Sequence, residues 1–344
     1  GNQAAAAARI GATVQMFGAV GSDSNADFLL GALGEAGVNT THVRRVLGPS
    51  GTTVITVDAT GENTIVYSPG SNAQVTVDYV ESVRDALARS SVLGLCLESP
   101  IETVTAAARM CHEAGVKVLL NDSPFTPSLP AELVEASDIL LVNEHEMVQL
   151  LGIDEPENDD WDGFDWNHAL EAMRGFGFEQ AIVTLGGDGS VVLDSTSATP
   201  IQRIAPVRVN AVDTTGCGDS FMGTVLAGLA SGMALSEAAE LASYVSAYAA
   251  TGYGAQASYA MPRKSAKHSP NNGSEDAYRT LARFLFSLLI RGVPHPTDVG
   301  CAPFLGRSDI KKLADRMGAS FCYVEKIARI RRRYCGDACL RAGR

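Results

Sequence analysis

The feature that most constrains the fold of this chain is the alternation of apolar, strand-like runs with helical patterns up to about residue 250. Runs such as residues 116–121 and 138–143 are short and apolar, which is typical of strands buried on both faces of a parallel sheet. Helical patterns, for example over residues 101–114, separate these runs. The sequence therefore predicts an α/β fold, a mostly parallel, Rossmann-like sheet sandwiched by helices that binds ligands at the carboxyl ends of its strands.

Residues 212–221, Val-Asp-Thr-Thr-Gly-Cys-Gly-Asp-Ser-Phe, predict a glycine turn that opens a helix. We expect a strand before the turn, in the apolar run that contains Val207, Val209 and Val212. Gly216 and Gly218 let the backbone approach a ligand closely, and free N–H groups at a helix start favour a phosphate. Asp219 stands among these donors, where a carboxylate can act as a base or can simply cap the helix.

The string Asp213-Thr-x-Gly-x-Gly-Asp219 resembles the signature of the ribokinase family of carbohydrate and nucleoside kinases, and the resemblance extends over residues 1–259. It implies ATP-dependent phosphorylation of D-ribose at its primary hydroxyl, giving ribose 5-phosphate. Asp219 then takes the hydroxyl proton, while the Gly216, Cys217 and Gly218 amides hold the charge of the transferred phosphoryl group. Another sugar or a nucleoside remains open as the substrate.

Two further motifs resemble the sugar-binding side of the family. Gly1-Asn2-Gln3-Ala4 is similar to the second half of a glycine-lysine motif, which implies that Asn2 is a ligand of a sugar hydroxyl, although Asn2 can also cap a helix. Glu98-Ser-Pro follows a strand, and the resemblance places Glu98 and Asp219 at the sugar, with a helix cap as the alternative for Glu98. Because the chain begins inside a motif and without Met, we expect the first strand and part of a lid to be missing.

The nucleotide side resembles the family at two places. Asn143-x-x-Glu146 opens a helix, and the resemblance implies that Asn143 meets phosphate while Glu146 holds Mg²⁺ through water; two helix caps are the alternative. A strand followed by Gly186-Gly-Asp-Gly189 resembles the turn that lies against the nucleotide. The ATP contacts implied by the resemblance are Asn143, Thr184, Gly186, Gly189, Gly218 and Ser243.

A loop after the last predicted helix of the kinase domain resembles a cation site. The sequence Gly254-Ala-Gln-Ala-Ser258 is similar to a loop that binds a monovalent cation, usually K⁺, in the family. Hard oxygen ligands suit such an ion. The K⁺ ligands implied by the resemblance are Asp213, Thr215, Ala249, Gly252, Gly254 and Ser258.

Residues 52–58 and 63–67 alternate in strand fashion around Thr60-Gly61-Glu62 and predict a β-hairpin. The resemblance implies that this hairpin is a small β lid over the sugar and that it pairs with a second subunit in a homodimer. An ordinary surface hairpin is the alternative.

The charge of the chain is divided between two regions. Residues 260–344 contain 17 Lys and Arg and 7 Asp and Glu, against 10 and 32 in residues 1–259. We expect a linker over residues 260–280 and a basic helical tail over residues 281–344, with a possible helix-turn-helix at 310–333. Such a tail can contact DNA, which leaves open a sugar-responsive regulator with little or no kinase activity. The alternatives are a helical hairpin with a solvated basic face and a tail joined by genome rearrangement or frameshift.

Seven scattered cysteines, an odd number without a recognisable secretory signal, favour reduced thiols and a cytoplasmic protein. The longest apolar run of the tail, residues 281–290, is too short to cross a bilayer, so we expect no membrane segment.

Overall fold

The computed structural model describes residues 1–57 and 63–260. The predicted hairpin turn at residues 58–62 lies outside these ranges. So do the predicted linker, the helical tail and the possible helix-turn-helix, apart from Ala260. The helices and strands given below all belong to the unit Gly1–Tyr259.

The described residues contain ten strands and eleven α-helices. The strands are β1 (Gln15–Val20), β2 (Asn39–Arg45), β3 (Thr52–Val57), β4 (Asn63–Ser68), β5 (Val92–Leu95), β6 (Lys117–Asn121), β7 (Ile139–Asn143), β8 (Gln180–Thr184), β9 (Ser190–Asp194) and β10 (Ile201–Ile204). The helices are α1 (Asn2–Arg9), α2 (Ser24–Ala36), α3 (Val77–Ser82), α4 (Arg84–Leu87), α5 (Ile101–Glu113), α6 (Ala131–Glu135), α7 (Glu144–Leu151), α8 (Trp166–Phe176), α9 (Cys217–Ala230), α10 (Leu235–Ala249) and α11 (Ala255–Ser258).

A six-stranded sheet in the order β10-β9-β8-β7-β6-β5 forms the centre of the fold. Strands β5 to β8 are parallel to one another, whereas β9 and β10 are antiparallel to their neighbours. The predicted α/β fold with a mostly parallel sheet is therefore confirmed. Because parallel strands end at the same edge, the residues that follow β5, β6, β7 and β8 are brought together there.

The apolar strands supply a core on each face of this sheet. In β6, Val118 and Leu120 pack with helices α3 to α8, while Leu119 between them packs with α9 and α10 on the opposite face. Strand β7 alternates in the same way, since Leu140 belongs to the first core and Ile139 to the second. Successive side chains of a strand point to opposite faces, so an unbroken apolar run fills two helix-covered cores.

Two smaller, two-stranded sheets are separate from the six-stranded sheet. Strands β1 and β2 pair in parallel, and α2 connects them. Strands β3 and β4 pair as an antiparallel hairpin in which Val54 is opposite Val66. The hairpin predicted from the alternating pattern is confirmed.

The strand predicted before the glycine turn is wrong. The chain is irregular from Ala205 to Gly216, after β10 has ended, and Val212 is 47% exposed. Pro206 has no N–H for a sheet ladder. The backbone N–H groups of Val212 and Asp213 donate instead to the carbonyl of Ala250, at 2.7 and 3.3 Å, so the segment is held by the end of α10.

Helix α1 lies closely against α9 at Gly223. A Cβ added to Gly223 would lie 2.3 Å from the carbonyl oxygen of Gln3 and 2.9 Å from Cβ of Ala6. Only a residue without a side chain allows this approach. The packing consequently fixes the start of α1 relative to the start of α9.

None of the described helices combines the length and the apolar character needed to cross a membrane.

We expect Gly223→Ala to lower the free energy of unfolding by about 1–3 kcal/mol, because the added methyl group must push α1 away from α9. The matched control is Gly34→Ala on the exposed side of α2, where a Cβ would meet nothing within 4 Å. That change should be neutral or should stabilise by up to about 1 kcal/mol, the helix preference for Ala over Gly. Urea unfolding measures both; equal effects of the two changes would contradict the close packing.

Candidate active site

The predicted base, Asp219, lies in the first turn of α9. The residue that precedes this helix, Gly216, adopts a conformation and a close packing that favour glycine. Gly216 caps the helix with a φ of 76°, in the left-handed region. A Cβ there would lie 2.6 Å from Cβ of Ala255 and 2.6 Å from the hydroxyl oxygen of Tyr259. That hydroxyl donates to the Gly216 carbonyl oxygen at 2.9 Å, which anchors the turn.

Two backbone amides at the start of α9 are available to an anion. The Ser220 N–H makes the first hydrogen bond of the helix, to the Gly216 carbonyl, and the Cys217 N–H donates to Thr214 within the turn. The N–H groups of Gly218 and Asp219 precede the intrahelical ladder and so have no acceptor within it. A Cβ on Gly218 would meet nothing within 4 Å, so this part of the turn is open. Among the predicted amides, that of Gly218 is therefore well placed to bind an anion, whereas that of Cys217 is used within the turn.

The structure brings Asn2 directly onto Asp219, although 217 residues separate them in the chain. The side-chain Nδ2 of Asn2 donates to Oδ2 of Asp219 at 2.9 Å. Its Oδ1 accepts a hydrogen bond from Nε2 of Gln256 at 3.0 Å. The residue predicted as a sugar ligand therefore contacts the residue predicted as the base, and Gln256 joins them as a third partner.

Glu98 lies on the loop after β5, beside the thiol of Cys96. The distance from Cys96 Sγ to Glu98 Oε2 is 3.9 Å. Burial first, and then the negative charges of Glu98 and Asp219, raise the pKa of Cys96 to about 11. The thiol is therefore neutral at pH 7.

The hairpin contacts the Glu98 loop through Tyr67. The Tyr67 hydroxyl donates to the Glu98 carbonyl oxygen at 2.8 Å and accepts from Nδ2 of Asn72 at 2.9 Å. Burial raises the pKa of Tyr67. No sequence pattern singles out Tyr67, because an aromatic residue in a strand predicts packing and gives no sign of its hydrogen-bond partner.

Asn143 and Glu146 form a reciprocal capping box at the start of α7. The Asn143 side chain accepts from the Glu146 N–H at 2.7 Å, and Glu146 Oε2 accepts from the Asn143 N–H at 2.8 Å. The capping alternative is thus realised, but Nδ2 of Asn143 and Oε1 of Glu146 are not used in it. Burial raises the pKa of Glu146, and Glu144 adds to the effect. A half-buried carboxylate beside an amide is a donor set that fits a hydrated Mg²⁺ ion.

The other predicted ATP contacts are spread over three elements. Thr184 ends β8 directly opposite Asn143, and its hydroxyl donates to the Val142 carbonyl at 3.4 Å. A Cβ at Gly186 would meet nothing within 4 Å, so the turn after β8 is open. Gly189 instead fits against Ile204, whose carbonyl oxygen would lie 2.2 Å from an added Cβ, and this gives it a structural role. The Ser243 hydroxyl donates to the Ala239 carbonyl within α10.

Asp122 directly after β6 is a buried carboxylate, and its position before a proline gives no sequence sign of a role in the site. Its Oδ1 accepts from the Thr126 N–H at 3.0 Å. Its Oδ2 is buried and finds no hydrogen-bond partner among the described residues. Burial raises the pKa of Asp122 to about 6, and the negative charge of Glu146 contributes.

Two of the residues predicted to bind K⁺, Gly254 and Thr215, contact Asp213. Oδ2 of Asp213 accepts from the Gly254 N–H at 2.8 Å and Oδ1 from the Thr215 N–H at 2.9 Å, and these donors lower the pKa of Asp213. The Gly252 N–H donates to the Ala249 carbonyl at 3.2 Å, and the Ser258 hydroxyl to the Ala255 carbonyl at 2.9 Å. An ionised carboxylate among loop carbonyls is a hard-oxygen set that fits a monovalent cation. Within the described ranges, no cluster of three or more His, Cys, Asp or Glu side chains offers an alternative metal site.

Comparison with known proteins identifies relatives of this chain. The profile of the pfkB family carbohydrate kinases matches residues 1–262. The ribokinase of Schizosaccharomyces pombe is 32% identical over 265 residues, 75% of this chain and 81% of that one, and the deoxyribokinase of Salmonella typhi is 31% identical over 262 residues, 75% and 82% of the two chains. The solved structure of Arabidopsis thaliana ribokinase complexed with ribose and ATP has a TM-score of 0.68 and 25% identity, over 81% of this chain and 85% of that chain.

The fold, the site and these relatives define a sugar kinase, an enzyme that transfers a phosphoryl group to a carbohydrate. Within that class, the chain belongs to the pfkB family of carbohydrate kinases, and its domain is ribokinase-like.

We expect Asp213→Asn to loosen the loop at Gly254, because a neutral amide presents only one oxygen to two N–H donors. Hydrogen exchange of the Gly254 amide should become about tenfold faster, whereas Asp27→Asn on exposed α2 should leave it unchanged. Since the folded pKa of Asp213 is lowered, the contact is complete at neutral pH and is lost only as the pH falls below 3.8 and through the folded value. Unchanged protection of Gly254 in Asp213→Asn would contradict this role.

We expect Asp122→Asn to stabilise the protein above pH 6. The folded pKa of Asp122 is about 6 against 3.8 for an ordinary Asp, so the wild type loses stability as the pH rises through this interval. The loss amounts to about 2–3 kcal/mol at neutral pH, and the amide variant escapes it. Urea unfolding at pH 4.5 and pH 7.5 measures the difference, which should be larger at pH 7.5. A difference that is the same at both pH values would show that burial does not oppose ionisation of Asp122.

Proposed function

We propose that this sugar kinase transfers the γ-phosphoryl group of ATP to the primary hydroxyl of D-ribose and gives ribose 5-phosphate. The single observation that carries the proposal is the position of Asp219, a carboxylate next to open backbone amides at the start of α9 and in contact with Asn2. A base beside an anion-binding helix start is what phosphoryl transfer to a hydroxyl requires.

The residues around Asp219 have separate roles in the reaction. Asp219 accepts the proton of the attacking hydroxyl, and the amides of Gly218 and Asp219 hold the negative charge that develops on the transferred group. Asn2 and Glu98 bind hydroxyl groups of the sugar, and the neutral thiol of Cys96 beside Glu98 adds no charge there. Tyr67 holds the Glu98 loop in place.

A second group of residues binds the nucleotide. Asn143, Thr184 and the open turn at Gly186 lie at the ends of neighbouring strands, where a parallel sheet binds its ligands. Glu146 holds the water shell of Mg²⁺ with its free Oε1, and Mg²⁺ bound there would neutralise charge on the phosphates. We assign K⁺ to the loop around Asp213, from which it would support the glycine turn without touching the substrates.

Ribose is the proposed sugar because several of the relatives are ribokinases at 31–33% identity. The relative that is a deoxyribokinase, at 31% identity, makes 2-deoxyribose the first competitor, and another sugar or a nucleoside follows. These two pentoses differ only in the 2-hydroxyl group. A site with a hydrogen-bond partner for that hydroxyl rejects the deoxy sugar strongly, since the partner would otherwise stay unpaired.

We infer further that two chains associate through the hairpin. Val54 and Val66 are paired across β3 and β4, and they are 56% and 61% exposed. Two adjacent exposed valines on one face of a two-stranded sheet are better accommodated against an apolar partner than in water. We also place the protein in the cytoplasm, which agrees with Cys96, Cys111 and Cys217 as free thiols.

DNA contact by the basic tail stays a prediction of the sequence. Its support is the excess of 17 basic over 7 acidic residues in residues 260–344. A sugar-responsive regulator would use that tail and would not need the base at Asp219.

An ADP-release assay on the full chain tests the kinase. We expect turnover with ribose and MgATP, an increase on addition of K⁺, and weaker turnover with 2-deoxyribose. Asp219→Asn should lower kcat by roughly 100-fold or more, because the hydroxyl then lacks a base. Asp27→Asn, whose side chain pairs with Arg45 at the surface, should retain wild-type kcat.

Two results would overturn these assignments. Wild-type turnover in Asp219→Asn would remove Asp219 as the base. Absence of turnover by the wild type with every sugar and nucleoside tested would remove the proposed activity and favour the regulator.

A further inference from the structure

We propose that Gln256 is a positioning residue of the kinase: it fixes the orientation of the Asn2 side-chain amide, which in turn orients the carboxylate of Asp219. This inference rests on the proposed function and deepens it. It is carried by two consecutive hydrogen bonds, from Gln256 Nε2 to Asn2 Oδ1 at 3.0 Å and from Asn2 Nδ2 to Asp219 Oδ2 at 2.9 Å.

The side-chain amide of Asn2 has two chemically different ends. The side chain of Asn has a donor, its NH₂ group, and an acceptor, its carbonyl oxygen, whereas an ionised carboxylate only accepts. Asp219 therefore requires the NH₂ group of Asn2, and the Nε2 group of Gln256 requires its oxygen. In the reverse orientation, oxygen would face carboxylate and NH₂ would face NH₂. Both neighbours thus select the same orientation of Asn2, and each reinforces the other.

Gln256 is itself held at a defined position. It lies in α11, and its carbonyl oxygen accepts hydrogen bonds from the guanidinium group of Arg9 and from the Tyr259 N–H. Tyr259 is bound to Gly216 on one side, and on the other side Gly254, two residues before Gln256, is bound to Asp213. The side chain of Gln256 is therefore presented to Asn2 from a segment anchored at both ends.

The consequence for catalysis concerns the two oxygens of Asp219. The Asn2 bond occupies Oδ2, which leaves Oδ1 to face the hydroxyl of the sugar. During transfer, the hydroxyl oxygen forms a bond to the γ-phosphorus while the bond from that phosphorus to the ADP oxygen breaks, and ADP leaves with the electron pair. The hydroxyl proton passes to Oδ1 and later returns to water. A carboxylate that rotates freely would present Oδ1 to the hydroxyl for only part of the time.

Two nearly isosteric variants test the proposal. Gln256→Glu presents only acceptors, so it attracts the Asn2 NH₂ group away from Asp219 and turns Oδ1 of Asn2 towards the carboxylate. Gln256→Met has a similar volume but forms no such hydrogen bond with Asn2, so Asp219 alone still orients the amide. We expect kcat/KM for the sugar to fall about tenfold in Gln256→Glu and about threefold in Gln256→Met. Unfolding midpoints show whether both variants are folded.

The Asn2→Ala variant is the control that distinguishes a positioning role of Gln256 from a merely structural one. Without the amide there is nothing for residue 256 to orient, so Gln256→Glu and Gln256→Met should have equal kcat/KM in the Asn2→Ala background. If Met is as harmful as Glu in the wild-type background, or if the difference between them persists with Asn2→Ala, Gln256 acts through packing or overall charge and the proposal is wrong.

A measurement without turnover separates this proposal from the proposed function. The Asn2 side-chain NH₂ signals in a ¹⁵N NMR spectrum are identified by their loss in Asn2→Ala. They should shift on Asp219→Asn in the wild-type background and should not shift in the Gln256→Glu background. If no sugar is phosphorylated but this pattern is observed, the proposed substrate fails and the positioning role stands. If both Gln256 backgrounds respond to Asp219→Asn equally, the positioning role fails whatever the substrate.

Discussion

The candidate site depends on the close approach of α1 to α9 at Gly223. Helix α1 begins at Asn2 and α9 carries Asp219 in its first turn, so the distance between these helices sets the distance between the two side chains. The backbone of α1 lies where a Cβ of residue 223 would be, and interiors packed at this density do not yield to an added methyl group. A contact made only of backbone and small side chains thus positions the base and its partner.

The glycine turn depends in the same way on residues distant in the chain. Tyr259 binds the carbonyl of Gly216 and Asp213 binds the N–H of Gly254, so the segment before α9 and the segment after α10 hold each other. Gln256 lies between these two anchors and reaches Asn2. The predicted cation loop and the predicted base are therefore parts of one hydrogen-bonded assembly, which gives a physical route by which an ion near Asp213 could influence catalysis.

The sequence predicted secondary-structure elements more reliably than tertiary contacts. Short apolar runs gave β6, β7 and β8 correctly because their burial on both faces leaves a continuous apolar pattern. The same reasoning failed before Gly216, where alternating valines predicted a strand but Pro206 and the carbonyl of Ala250 produce a bound loop. The sequence predicts no role for Tyr67, Asp122 or Gln256, since a single residue far from its partner in sequence has no pattern to reveal it.

By itself, the sequence determined the α/β layering, the glycine turn with Asp219, and the similarity to a family of sugar kinases, because periodicity and local motifs depend on neighbours along the chain. The tertiary structure alone decided which groups meet. It placed Asn2 between Asp219 and Gln256, committed the Cys217 amide to the turn and left that of Gly218 open. These outcomes depend on how closely whole helices pack, and packing distance is set by side chains hundreds of residues apart.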